Sequence, residues 1–216
     1  MLSYGLNQLD VRILRFLEKY GCKSKYYIEA GANDGISQSN TAMFEFHLGW
    51  KGVLVEPSRL QFEKCKSVRR NSTVHNCALV SFSHGSNVID GNFSDQAASC
   101  HSGLMSSIIE NRRQDNTPVV SVPAKTLNSI LQESNSPREI GFLSLDVEGY
   151  EKEALSGINF ESFRPALIIL EEVDWRNQSK IDEWESFMSN FDYKIDRMFD
   201  DGERHDFLFY DDRRIS

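Results

Sequence analysis

With 216 residues the chain is long enough to bury a full core, and one domain spanning 1–216 is the natural expectation. Its composition is that of an ordinary soluble globular protein. A net charge of −8 argues against a nonspecific binder of nucleic-acid backbone, whose affinity comes from Lys and Arg.

In chain order, residues 7–20 place Leu9, Ile13, Leu14, Phe16 and Leu17 on one helical face, and Gly21 is a plausible stop. This N-terminal helix should cover the sheet or the pocket. Tyr26–Ala30 reads as a strand that carries an acid, Glu29. A glycine-bounded loop follows, Gly31-Ala32-Asn33-Asp34-Gly35, and then a helix to about Leu48 with Ser37, Ser39 and Asn40 as caps. Such a strand–loop–helix is a nucleotide-type entrance. Glycine lets the loop turn sharply and lets a ligand approach its backbone, and the next helix offers free N–H groups.

Val53-Leu54-Val55 is a continuous apolar run, as expected of a strand buried on both faces, and it ends at Glu56-Pro57. Ser58 can cap a helix over 59–70, and 73–80 reads as a third strand. The β-α-β-α-β rhythm predicts a parallel sheet with right-handed crossovers. Residues 84–117, rich in Ser, Asn and Gly and carrying Arg112 and Arg113, read as an irregular insertion with room for a short strand pair; a lid over a substrate is one role for it. A strand over 119–122 and a short helix over 125–131 lead to a buried strand over 140–146 ending in Asp146. Residues 149–156 are helical. Strand 166–173 ends in Glu171-Glu172, and an amphipathic helix covers 179–190. Two last strands, 193–198 and 206–210, flank the turn-prone Asp200-Asp201-Gly202 and suggest an antiparallel hairpin at the sheet edge.

None of the four cysteines sits at C-x-x-C spacing, so Cys65 and Cys77 read as small apolar core residues of a reducing compartment. No apolar stretch is long enough to span a bilayer and no signal-peptide pattern is present, which makes the cytoplasm the default location and a membrane partner unexpected.

Three groups of residues carry chemistry. Glu56 lies 21 residues beyond Gly35 at a strand end, where an acid can accept hydrogen bonds from both ribose hydroxyls of a nucleotide. Asp146 and Glu148 lie at the carboxyl end of another strand, where open parallel sheets bind ligands; capping of the following helix, with Glu151 adding first-turn charge, is the structural alternative for one of them. Glu171 and Glu172 end the most strand-like run, and alternation lets only one of them face the cleft.

The chain resembles the FkbM-type methyltransferases, within the class I S-adenosylmethionine-dependent group. Three blocks carry the match: Ile28-Glu29-Ala30-Gly31-Ala32-Asn33-Asp34-Gly35, Val55-Glu56-Pro57, and Leu145-Asp146-Val147-Glu148-Gly149-Tyr150-Glu151. The last continues into Ala154-Leu155-Ser156-Gly157 and Leu167-Ile168-Ile169-Leu170-Glu171-Glu172. The resemblance implies a Rossmann-like, mostly parallel seven-stranded sheet with helices on both faces. It also implies S-adenosylmethionine as donor and O-methylation of a hydroxyl on a sugar, another small molecule or a glycan. It carries cofactor contact to Glu29, Gly31, Asn33, Asp34, Gly35, Glu56, Pro57, Asn76, Ala78 and Asp146. Glu29 would sit near the cofactor's cationic end, and 76–78 would flank the adenine. Asp146 and Glu148, then Glu172, are the base candidates. A divalent metal held by Asp146, Glu148 and Glu171 or Glu172 is a lesser variant. Many members carry Asp at the position of Glu29 and Lys at that of Ser144. A noncatalytic cofactor-binding module and a nicotinamide-dependent oxidoreductase are the rival readings; the loop lacks the middle glycine of G-x-G-x-x-G that the latter prefers.

Overall fold

In a computed structural model, which describes residues 2–93, 99–100, 119–172, 177–197, 199 and 206–214, the chain forms two sheets. The strands of the larger are β1 (Tyr26–Ala30), β2 (Lys51–Val55), β3 (Thr73–His75), β8 (Glu139–Leu145), β9 (Arg164–Glu171), β10 (Tyr193–Ile195) and β11 (Asp206–Asp211). Their order is β10-β11-β9-β8-β1-β2-β3. The run from β3 to β9 is parallel, and β11 is antiparallel to both β9 and β10. The edge hairpin is therefore present, with the last strand inside and β10 outermost.

Strand alternation divides the core between the two faces. Ile28, Val53, Val55, Leu143, Leu145, Ile168 and Leu170 point one way. They meet Leu127, Ile130 and Leu131 of α4 (Leu127–Glu133), Leu155 of α5 (Glu151–Leu155), and Trp184 and Met188 of α6 (Gln178–Ser189). Tyr27, Leu54, Phe142, Leu167 and Ile169 point the other way. They meet Leu9, Ile13 and Leu17 of α1 (Leu9–Lys19), Met43 and Phe44 of α2 (Ala42–Leu48), and Cys65 of α3 (Arg59–Val68). The N-terminal helix thus covers the sheet. Fully burying one such aliphatic side chain stabilises by roughly 1.5–3 kcal/mol, so both faces hold their helices firmly.

Two expectations are corrected. The run 73–80 is not one strand. The Asn76 amide donates to the carbonyls of Glu56 and Pro57, both at 2.9 Å, and this turns the chain off the large sheet after His75. Ala78–Leu79 then forms β4 of the smaller sheet, ordered β4-β7-β5-β6 with β5 (Val88–Asn92), β6 (Ser99–Cys100) and β7 (Val120–Lys125). The helix expected over 125–131 begins later, because β7 runs through Lys125 and Thr126 is the cap, its hydroxyl accepting from the Ser129 N–H. The strand pair expected in the insertion is β5–β6, antiparallel. Arg112, Arg113, most of the suggested lid and the 200–202 turn lie outside the described residues.

Cys65 and Cys77 are free thiols. Burial pushes Cys65 and Cys77 up to about 12, which leaves them as inert packing groups at neutral pH. Among the described residues, no helix is long and apolar enough to cross a membrane.

Candidate active site

The register of the large sheet sets one row of residues side by side. Ala30 lies opposite Val55 and Leu145, Val55 opposite His75, and Leu145 opposite Leu170. One residue further on, Asn76, Glu56, Gly31, Asp146 and Glu171 line the carboxyl edge, and antiparallel β11 brings Asp206 opposite Glu171. The strand order reverses between β2 and β8, which flank β1, so the row crosses the switch point where open α/β sheets bind ligands.

Gly31 and Gly35 are needed for reasons internal to the protein. Both have φ near +80°, a left-handed conformation that side chains disfavour. A Cβ on Gly31 would lie 1.8 Å from the Asp146 carbonyl oxygen; one on Gly35 would lie 2.9 Å from Arg69 Cγ and Cys65 Sγ. Gly31 therefore lets the end of β8 and the Asp146 backbone close against the loop. Gly31→Ala is expected to destabilise the fold by roughly 2–5 kcal/mol, from backbone strain plus overpacking. The midpoint of urea unfolding reads this, and an unchanged midpoint would contradict the packing.

The loop also holds its own shape. Asn33 and Gln38 add further left-handed residues, with φ of 47° and 58°. Glu56, 5% exposed, accepts from the Asn33 N–H at 2.8 Å and the Ser58 N–H at 2.7 Å, one bond to each carboxylate oxygen. Burial raises its pKa; these two bonds oppose the shift and the Asp146 charge adds to it. Each oxygen keeps acceptor capacity. Asp34 accepts from the N–H groups of Ile36 and Ser37 and from the Ser37 hydroxyl. Burial pushes its pKa up, but those bonds outweigh it and hold the carboxyl below its ordinary value.

Glu29 does not reach the rim. Alternation turns it, like Tyr27, onto the face covered by α1, α2 and α3, where it is 4% exposed and accepts from Ser39, Thr41, the Asn40 N–H and Arg69. Its neighbour across β8 is Ser144, which accepts from the Asn40 amide, so the cation facing Glu29 comes from Arg69. Glu172 also leaves the row: its carboxylate accepts from Trp184 Nε1 at 2.7 Å. Glu171 is the acid that turns inward, and it forms a hydrogen bond with Asp146.

Asp146 is exposed to solvent at the carboxyl edge of the sheet, with neighbouring protein atoms crowding its carboxyl. That desolvation first, then the Glu171 charge and hydrogen bond, then Glu148 and Glu29, push its pKa up to about 8. Burial likewise raises Glu171, with the charges of Glu148, Asp206 and Glu151 adding to it, while the bond from Asp146 works the other way. Two carboxyls joined by a hydrogen bond share one proton. Glu148 is exposed in the left-handed region, with φ of 55°. Glu151, not Asp146, secures the turn: it accepts from the N–H groups of Val147 and Gly149, and burial raises it to about 7 against those bonds.

Of the residues singled out from the sequence, the fold brings Gly31, Asn33, Glu56, Asn76, Asp146 and Glu148 to one edge. Ala78 lies buried just beyond Asn76, and Pro57 lends its carbonyl to that turn. Arg69 was missed, since nothing near it in the sequence marks it. Among the described residues no group of three or more His, Cys, Asp or Glu side chains is arranged to hold a metal ion.

Solved structures with the same fold include the METTL16 MTase domain, at a TM-score of 0.51 and 11% identity over 94% of this chain and 67% of that one. A SAM dependent methyltransferase from Aquifex aeolicus follows at 0.46 and 9%, covering 96% and 93%. An O-methyltransferase from Bacillus cereus in complex with SAH gives 0.42 and 11%, covering 96% and 82%. No curated protein sequence matches at a significant level. The model of the methyltransferase FkbM domain matches residues 29–195, most of the chain and every strand end of the row except that of β11. The chain belongs to the FkbM methyltransferase family.

Proposed function

We propose that this methyltransferase uses S-adenosylmethionine to O-methylate a hydroxyl of a small-molecule or glycan acceptor, with Asp146 as general base. The observation that carries the reading is the row at the carboxyl edge: an acid for ribose at Glu56, a bare backbone at Gly31, and a proton-sharing pair at Asp146 and Glu171. The donor set suits the cofactor. Glu56 keeps free acceptor positions for two hydroxyls, and the carboxylates around the cleft favour a cationic ligand. In this reading Gly31, Asn33, Asp34 and Gly35 hold the methionine portion, and Glu56 holds the ribose. Asn76, Pro57 and Ala78 form the adenine wall, and Glu29 acts through the loop it anchors.

The cofactor, when bound, supplies an electrophilic methyl group on a sulfonium. The protein orients the acceptor and removes its proton. A hydroxyl is a poor nucleophile until deprotonated, so a base whose pKa lies close to working pH is well matched to the step. Asp146, pushed up to about 8, meets that condition and is exposed at the carboxyl edge of the sheet. Glu171 accepts its hydrogen bond and keeps the pair's negative charge next to the departing proton.

Incubation with methyl-labelled S-adenosylmethionine and a panel of sugars and other alcohols tests this. A labelled product whose new methyl group is assigned to oxygen by NMR is expected. Label appearing only on nitrogen or carbon acceptors would overturn the oxygen assignment. Cofactor binding with no transfer to any acceptor would favour the noncatalytic module, and binding of NADH in preference to S-adenosylhomocysteine would favour the oxidoreductase.

A further inference from the structure

Arg69 lies at the end of α3 and its side chain is fully buried. Nε donates to Glu45 at 3.0 Å. Nη1 donates to the Gly35 carbonyl at 3.0 Å, to Ser39 Oγ at 3.1 Å and to Glu29 at 3.5 Å. Nη2 donates to the Tyr27 hydroxyl at 2.7 Å and to Thr41 Oγ1 at 2.8 Å. A guanidinium has five N–H groups in a fixed fork, so this side chain is used to capacity.

The partners divide into two sets. Tyr27 and Glu45 belong to β1 and α2, elements that packing already holds; Glu45 is further tied to Tyr27, Ser72 and the Asn71 N–H. Gly35, Ser39 and Thr41 belong to the segment between β1 and α2, whose strand pairing is a single bridge from Gln38 to Gly5 and which carries left-handed residues at Gly31, Asn33, Gly35 and Gln38. Glu56 grips that segment from the cleft side through Asn33. Arg69 grips it from the core side through the Gly35 carbonyl, and it charge-pairs with Glu29, which takes the Asn40 N–H. The Cβ-less Gly35 packs directly on the Arg69 stem.

Granted the cofactor reading above, we propose that Arg69 is a positioning residue: it holds the 31–41 segment in its binding shape from behind and so sets cofactor affinity without touching the cofactor. A ligand that meets a preformed loop does not have to order it, and that saving appears in affinity. A purely structural ion pair would instead alter stability alone.

The test is calorimetric titration of S-adenosylhomocysteine into three variants, with melting temperatures measured in parallel. Arg69→Lys keeps the charge but cannot reach Gly35 and Ser39 together; a fall in affinity of about tenfold or more is expected. Glu45→Gln weakens the arm that faces away from the loop. It should lower the melting temperature while leaving affinity within about twofold. Ser39→Ala leaves the guanidinium in place and removes a hydroxyl that ties the segment to Arg69, Glu29 and the Ala42 N–H, so it reads the loss of loop anchoring, at about threefold or more, even where Arg69→Lys does not fold. Wild-type affinity in both Arg69→Lys and Ser39→Ala, or a loss in Glu45→Gln as large as theirs, overturns the proposal. Failure of the wild type to bind S-adenosylhomocysteine would instead remove the cofactor reading itself.

Discussion

Glu56→Ala is expected to weaken S-adenosylhomocysteine binding by about 100-fold or more. Hydrogen bonds to a charged group contribute roughly 1.5–3 kcal/mol each, and 1.4 kcal/mol is tenfold in affinity, so losing two ribose contacts reaches that range. The structure adds a second source of loss. The same carboxylate receives the Asn33 and Ser58 N–H groups, and without it the front of the loop is released. Glu56→Gln separates the two. The amide oxygen can still accept one backbone N–H, while its NH₂ group donates where an acceptor was needed. Affinity falling nearly as far in Glu56→Gln as in Glu56→Ala assigns the loss to the ribose contacts. Wild-type affinity in both removes Glu56 from the site.

The second large effect is on turnover. Asp146→Asn should lower kcat by about 10²–10⁴-fold, the usual contribution of a positioned base, with S-adenosylhomocysteine affinity changed far less. Equal loss of both would make Asp146 a binding residue only. In the wild type, activity should rise with pH as the shared proton leaves Asp146, at about 8. Glu171→Gln removes the adjacent negative charge and should move that rise to lower pH; a rise that stays in place would separate Glu171 from the base. Stability moves the opposite way. The folded pKa of Asp146 lies above its ordinary value of 3.8, so its contribution is complete at low pH and is lost as pH climbs from about 4 to about 8. Asp146→Asn, which cannot ionise, should therefore lose less stability than the wild type between pH 6 and pH 9. Equal losses would contradict the raised pKa.

How far these residues could be read from the sequence depended on whether their role was local. The apolar runs at 53–55, 140–145 and 166–170 fill strands buried on both faces, and nothing else accounts for them. Gly31 and Glu56 sit at strand ends where chain order alone brings them together. Alternation settled that only one of Glu171 and Glu172 could face the cleft, but not which. The choice fell to Glu171 because Trp184, twelve residues further on, holds Glu172 through its indole N–H. The run 73–80 has the composition of a strand, and its break at Asn76 is made by two carbonyls just after β2, those of Glu56 and Pro57. Glu29 is placed near the cofactor's cationic end by the family resemblance. Its face points it inward, and the buried cation that meets it stands 40 residues away in the chain. Long-range polar networks of this kind leave no periodic trace.

A crystal structure with S-adenosylhomocysteine bound tests the central claim most directly. The ribose hydroxyls should rest on the Glu56 carboxylate, the amino-acid portion along 31–35, and the sulfur should face the space in front of Asp146. Nucleotide density away from the β1–β2 edge, with Glu56 touching only Asn33 and Ser58, would contradict it.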